Sequence, residues 1–155
     1  MMGRMYTAVM NGVAISAAAE IFFVEAATDV TIVLHEFKLT QDVFVTSEQL
    51  ALKCFRTATD QGAKGTAITP TPHNEGDVAA GETVQSAILT GDTFATPGVM
   101  LFRDAQNVLN GFHWLPTPET RIVISPGGYV VFKLETAPSE SMTFSGYVTF
   151  EELGG

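Results

Sequence analysis

Cysteine, tryptophan and charge are what this chain has least of. The one cysteine, Cys54, excludes an intramolecular disulfide and any thiolate metal cluster built by a single chain. It falls in phase with Leu50 and Leu52 in an alternating run, which places the thiol in a core rather than at a reactive surface. Charged residues make up 16% of the chain, against roughly 25% in an average globular protein. The surface is therefore rich in neutral Thr, Ser, Gly and Ala, which suits a protein packed against other subunits and also suits a small β-sandwich.

Positive charge is scarcer still. Eight basic residues, scattered from Arg4 to Lys133, face 17 acidic ones, for a net charge of −9. Nucleic-acid binding leaves a clustered basic footprint, and none is present, so no nucleic-acid partner is expected. Anionic membrane surfaces are disfavoured for the same reason, and the acidity reads as solubility. No segment approaches the ~20 apolar residues of a membrane span. The first residues, Met1 to Arg4, lead into no signal-peptide apolar run, so the expectation is synthesis and folding in a reducing cytoplasm.

Catalytic patterns are missing as well. The three histidines, His35, His73 and His113, include no His-x-His pair. Each supplies one imidazole with at best a neighbouring glutamate, as in His35-Glu36 and His73-Asn74-Glu75. No Gly-x-Ser-x-Gly elbow occurs, and Cys54 has no adjacent base. Gly62-Ala63-Lys64-Gly65-Thr66 lacks the residue order of a phosphate loop and reads as a plain loop. Asp29, Asp42, Asp60, Asp77 and Asp92 fall at strand ends or turns, where Asp suits the backbone, and form no calcium loop. Glu151 and Glu152 are adjacent on one strand, so they point to opposite faces. The Leu153-Gly154-Gly155 end matches the tail of ubiquitin-like modifiers, but the body, without a central helix, does not. No catalytic, cofactor-binding or metal-binding residue is assigned.

What the chain does have is alternation. Met142, Phe144, Val148 and Phe150 alternate with Thr143, Ser145, Tyr147, Thr149 and Glu151, giving one oily and one wet face. Val130, Phe132 and Leu134 alternate with Lys133 and Glu135. Joined by Ala137 to Ser141, the two runs predict a hairpin. Ile122 and Ile124, before the Pro126-Gly127-Gly128 corner, extend it to a C-terminal meander. Upstream, strands are expected at Tyr6 to Ile15 (with Asn11-Gly12 as a turn or bulge), Glu20 to Ala26, Val30 to Leu39, Gln49 to Thr57, Thr83 to Leu89 and Val99 to Phe102. Ala105 to Leu115 is the one helix-like window, but Asn110-Gly111 interrupts it. Phe112 to Leu115 therefore reads as a strand stopped by Pro116-Thr117-Pro118. Residues 57–81, studded with Gly and Pro, predict a long functional or interfacial loop, and 91–98 a turn. The sum is a single-domain all-β antiparallel sandwich of eight or nine short strands, jelly-roll-like, over 1–155, with a flexible 154–155 tail.

Two stretches look interfacial. Val30 to Leu39 carries apolar residues in both phases, Val30, Ile32 and Leu34 against Val33, Phe37 and Leu39. It is therefore either central between two layers or in touch with another subunit. Phe112 and Trp114 share a face beside Leu115, as core residues, as an anchor for a partner, or as a sugar-stacking platform. With the loop residues Pro70, Pro72 and His73, these give the expected interface set Val33, Phe37, Leu39, Pro70, Pro72, His73, Phe112, Trp114 and Leu115.

A series of short motifs runs along nearly the full length. They are Met5-Tyr6-Thr7-Ala8-Val9, Val33-Leu34-His35-Glu36, Pro70-Thr71-Pro72-His73-Asn74, Trp114 to Glu119, Ile124 to Tyr129, and Ser145 to Gly154. In these the chain resembles a group of small proteins of tailed bacteriophages. The resemblance implies a virion component, a jelly-roll decoration (cement) protein on the head surface, whose partners are its own copies, as a homotrimer, and the major capsid protein. The shared motifs are structural corners and carry over no site residue and no cofactor. A carbohydrate-binding or adhesion module on a head fibre or tail is the alternative, and a cupin-like metal enzyme the third.

Overall fold

A computed structural model describes residues 3–57, 65–88 and 98–154. Twelve strands are present among them: β1 (Arg4–Ile15), β2 (Ala19–Glu25), β3 (Val30–Gln41), β4 (Gln49–Thr57), β5 (Thr66–Ile68), β6 (Thr71–Pro72), β7 (Thr83–Ile88), β8 (Val99–Asn107), β9 (Phe112–Trp114), β10 (Ile122–Ile124), β11 (Tyr129–Leu134) and β12 (Met142–Gly154). A single 3₁₀ turn, Pro118–Thr120, is the one helical element among the described residues.

The strands form two sheets, and every pairing is antiparallel. The first sheet runs β10-β3-β12-β1-β6, with β9 beside β3, and the second runs β5-β7-β2-β11-β4-β8. Eight positions make the framework: β1, β12, β3 and the β9/β10 edge face β2, β11, β4 and β8. Among these framework strands the chain crosses between sheets at β1/β2, β3/β4, β8/β9 and β11/β12 at one end, and at β2/β3 and β10/β11 at the other. That order is the double Greek key of a jelly roll, as the sequence leads one to expect. β5, β6 and β7 are additions inserted between β4 and β8. The stretch expected to be loop at 57–81 thus carries two short strands, β5 pairing with β7 and β6 with β1. Positions 58–64 and 89–97, with Asp60, Asp92, the phosphate-loop-like Gly62 to Lys64 and most of the 91–98 turn, lie outside the described residues.

The expected C-terminal meander is not what forms. β11 pairs with β2 and β4, whereas β12 pairs with β1 and β3, so residues 135–141 arch from one sheet to the other. A hairpin and an arch show the same alternation and the same turn residues. The difference is that both edges of β11 are already occupied, a fact set by strands 72 or more residues earlier in the chain. β8 runs on to Asn107, and a turn closed by Asn110 N–H donating to Asn107 O (3.0 Å) replaces the helix-like window. β12 continues to Gly154, so Leu153 and Gly154 are strand rather than tail.

β3 is the instructive strand. Its register with β12 slips between Thr149 and Phe150, which pair with Glu36 and Leu34 and leave His35 as an extra residue. Such a bulge changes the phase of alternation. Val30, Ile32 and Leu34 before it and Phe37 and Leu39 after it all point inward, fully buried or nearly so. The strand is one-faced with a bulge, not two-faced. Similar slips occur at Asn11-Gly12 in β1 and at Ile21 in β2.

The space between the sheets is filled. Phe37 is the hub: it stacks on Phe132 with ring centroids 4.1 Å apart and meets Phe22 edge-on at 5.9 Å. Tyr6 stacks on Phe150 nearby. Cys54 lies in the same core, fully buried, and burial pushes its thiol pKa far up, so it is an inert packing residue. A smaller apolar row, Phe23, Val131, Phe55 and Ile88, lies on the other side of the second sheet and is also buried.

Candidate functional site: a groove along the open edge

At one side of the sandwich the two sheets end in the edge strands β8 and β9/β10, which do not pair with each other. The edge of the first sheet is broken because Pro116 and Pro118 cannot donate to a ladder. β9 pairs with Phe37 to Leu39 and β10 with Ile32 to Leu34, so residues 115–121 leave the sheet opposite the His35 bulge. The result is a groove of about 530 Å³ with Leu101, Phe102, Trp114 and Ile122 in its floor. Arg56, Glu119 and Arg121 stand at its rim. Phe102 stacks on Trp114 at 5.7 Å and tilts against Phe132 at 6.3 Å, joining the floor to the core. The Arg121 side chain is partly buried, and its Nε lies buried without a hydrogen-bond partner. The Glu119 carboxyl is held below its usual range by its own backbone amide, with Thr117 and Arg121 adding to the effect.

The surroundings of the groove are apolar and exposed. Val99, Met100, Leu115 and Val123 flank it, with Leu115 67% exposed. A second exposed apolar group sits at the end of the sandwich that carries the β1/β2 and β3/β4 connections: Val43, Phe44 and Leu109, with Phe44 70% exposed.

The remaining polar side chains are largely committed to one another. All three histidines are on or beside the outer face of the first sheet, each on a different partner. His35 Nε2 lies 3.0 Å from Glu151 Oε2, His113 Nε2 lies 2.7 Å from Glu36 Oε1, and His73 Nε2 lies 2.7 Å from Thr7 Oγ1. Tyr147 donates its hydroxyl to Glu36 Oε1 at 2.6 Å. That bond holds the Glu36 carboxyl below its usual range, and it pushes the Tyr147 hydroxyl up to about 12. Glu151 and Glu152 do point to opposite faces: Glu151 accepts from Gly3 N–H at 2.9 Å outside, while Glu152 is buried beside Arg4. On the second sheet Arg103 and Lys53 converge on Glu135, at 2.7 and 3.8 Å.

The expected interface residues fall into three groups. Phe112, Trp114 and Leu115 lie at the groove. Trp114 is half-buried, core on one side and groove on the other, whereas half-buried Phe112 packs against the core and stacks on Phe102 behind the groove floor. Pro70, Pro72 and His73 belong to the opposite edge of the first sheet, at β6. There Pro70 is buried, Pro72 pairs with Tyr6, and only His73 is exposed. Phe37 and Leu39 are core residues with no exposed surface, and the expectation that they meet another subunit is corrected: the bulge at His35 turns them inward. Val33 stays on the outer face, paired with Val123. Arg56, Leu101, Arg121 and Val123 were not singled out from the sequence, because only the sheet topology brings these distant residues together. Exposed Phe44, preceded by Asp42 and Val43 in a short connection, was a legible signal.

No protein-family model, no curated protein and no solved structure matches this chain.

Proposed function

We propose that this chain is a structural virion protein of a tailed phage, a homotrimeric decoration (cement) protein on the outer surface of the head. In this role it binds the major capsid protein and stabilises the shell. The observation that carries the reading is where the apolar surface lies. The interior is filled by its own aromatic side chains, and the histidines are tied into pairs or hydroxyl contacts on an outer face. The unspent hydrophobic area is outside instead, in patches around the groove and at one end. Exposed apolar patches of this kind mark protein contacts. The jelly roll, the low charge content and the phage-like corner motifs agree with a rigid module that works by packing. Since one fold hosts many functions, the jelly roll by itself decides nothing here.

The mechanism is linkage. A subunit that binds only the assembled shell stabilises that shell by its binding free energy, and three linked contacts add by multivalency. The expected result is a trimer by light scattering that co-sediments saturably with expanded phage heads. A stable monomer without affinity for heads overturns the proposal.

One observation favours a second reading, carbohydrate binding: Trp114 lines a groove with Arg56, Glu119 and Arg121 at its rim. A glycan-array signal that Trp114→Ala abolishes would establish that role, and a blank array removes it.

A further inference from the structure

The two exposed apolar patches differ in chemistry as well as position. The groove between β8 and β10 has two guanidinium groups, Arg56 and Arg121, against one carboxylate, Glu119, in a chain that has only eight basic residues. At the opposite extreme, the four connections at the end that carries Phe44 are 16–18, 42–48, 108–111 and 135–141. They hold Asp42, Glu48, Glu135 and Glu140 and no Lys or Arg, and of these acids Glu135 is already paired with Arg103 and Lys53 of the neighbouring strands. From that acidic end projects Phe44, the most exposed of the large hydrophobic residues among those described. An aromatic knob in an acidic setting and an aromatic-floored groove with a basic rim are complementary.

Symmetry gives the pair a purpose. A twofold dimer uses one self-complementary patch, whereas a threefold ring needs two different patches that fit each other head to tail. We propose that Phe44 of one copy seats in the Trp114 groove of the next, with Asp42 and its neighbouring acids facing Arg56 and Arg121, and that this contact closes the trimer. The inference rests on the assembly reading above and specifies its surface. A groove of about 530 Å³ falls in the size range of sites that enclose a bulky group, so a phenyl ring fits inside it. Arg121 Nε, buried and without a partner, gains an anionic one. Buried aromatic anchors dominate the energy of such contacts.

The test uses the full chain. Phe44→Ala removes an exposed side chain and leaves the fold intact, which its circular dichroism and melting curve would confirm. It is expected to weaken trimer association by about ten-fold or more, as read by sedimentation equilibrium. Arg121→Glu is expected to weaken it as well. Trimer association of the native chain should also weaken as salt is raised. The double variant Val43→Cys with Val123→Cys, mildly oxidised, is expected to give covalent trimers on a non-reducing gel. A mixture of the two single variants is expected to stop at dimers, and buried Cys54 should not react. A trimer that Phe44→Ala leaves unchanged, and that the double variant does not cross-link, overturns this contact while leaving the assembly reading standing. A monomer at every concentration overturns both.

Discussion

Phe37→Ala is expected to cost about 3–5 kcal/mol of stability, the range for deleting a fully buried aromatic side chain. The ring joins four strands from both sheets: it stacks on Phe132 of β11 at 4.1 Å, meets Phe22 of β2, and touches Phe112 of β9 at 6.0 Å. Its loss leaves a cavity between the layers that neither sheet can close, because each is pinned by its own hydrogen bonds. Natural domains hold only about 5–15 kcal/mol in total, so the variant would be marginally folded. Urea titration followed by Trp114 fluorescence measures the loss, as a lower midpoint at unchanged slope. Phe37→Leu should lose less, since it keeps part of the volume. A two-faced β3 requires a different outcome, a variant with the native midpoint and weakened self-association. That result would undo the assignment of Phe37 to the core.

β3 also shows where reading a sequence stops. Alternation marks a strand because successive side chains point to opposite faces. The same rule misassigns half of a strand once an extra residue is inserted. Val30 to Leu39 announced a hydrophobic strand, which runs on to Gln41, but nothing local distinguishes a bulge at His35 from a strand buried on both sides. The bulge is stabilised from outside the strand, by the β12 register and by the departure of residues 115–121 at two prolines. Gln49–Thr57 gave no such trouble: it has no bulge that reverses its phase, and its expected bounds are those of β4. The arch between β11 and β12 failed for a related reason. Turn residues report a reversal of direction, not which sheet receives the returning strand.

The groove was half legible. Phe112, Trp114 and Leu115 stood out as the densest aromatic group, and their position at a surface edge follows from the Pro-Thr-Pro stop. Arg56 and Arg121 are 65 positions apart in a chain with scattered basic residues, and only the meeting of two sheet edges makes them neighbours. A net charge of −9 concealed this local excess of positive charge. The two sheet edges that create the groove are themselves a hazard, since unpaired strand edges invite association. The proposed head-to-tail contact would use that same edge.

A buried acid supplies the second large effect. Glu82 lies where residues 73–82 pass over the end of the sandwich, a segment held by Tyr6 donating its hydroxyl to Val78 O (2.9 Å) and by His73 N–H donating to Met5 O (2.8 Å). Both carboxylate oxygens of Glu82 are buried without a hydrogen bond to another residue, and Glu152 adds a second buried acid close by. Burial, with repulsion from Glu152, pushes the Glu82 pKa up to about 7, and its own backbone amide and Arg4 offset only part of this. The same burial, with Glu152 beside it, pushes the Tyr6 hydroxyl up to about 12. A carboxyl that titrates near 7 when folded and in its ordinary range when unfolded binds more protons in the folded state across that interval. Stability therefore falls as pH rises through the interval, and the full cost is present above about 7. Glu36, Glu119 and Glu135, all shifted the other way, lose their contributions only in acid, so they do not mask the effect. Glu82→Gln keeps the shape and removes the charge. It is expected to be more stable than the native chain by on the order of 2 kcal/mol at pH 8 and about equal to it at pH 4.5. Urea midpoints at pH 4.5, 6, 7 and 8 should thus converge toward acid and separate toward base, and parallel curves would show that Glu82 is not the group that titrates.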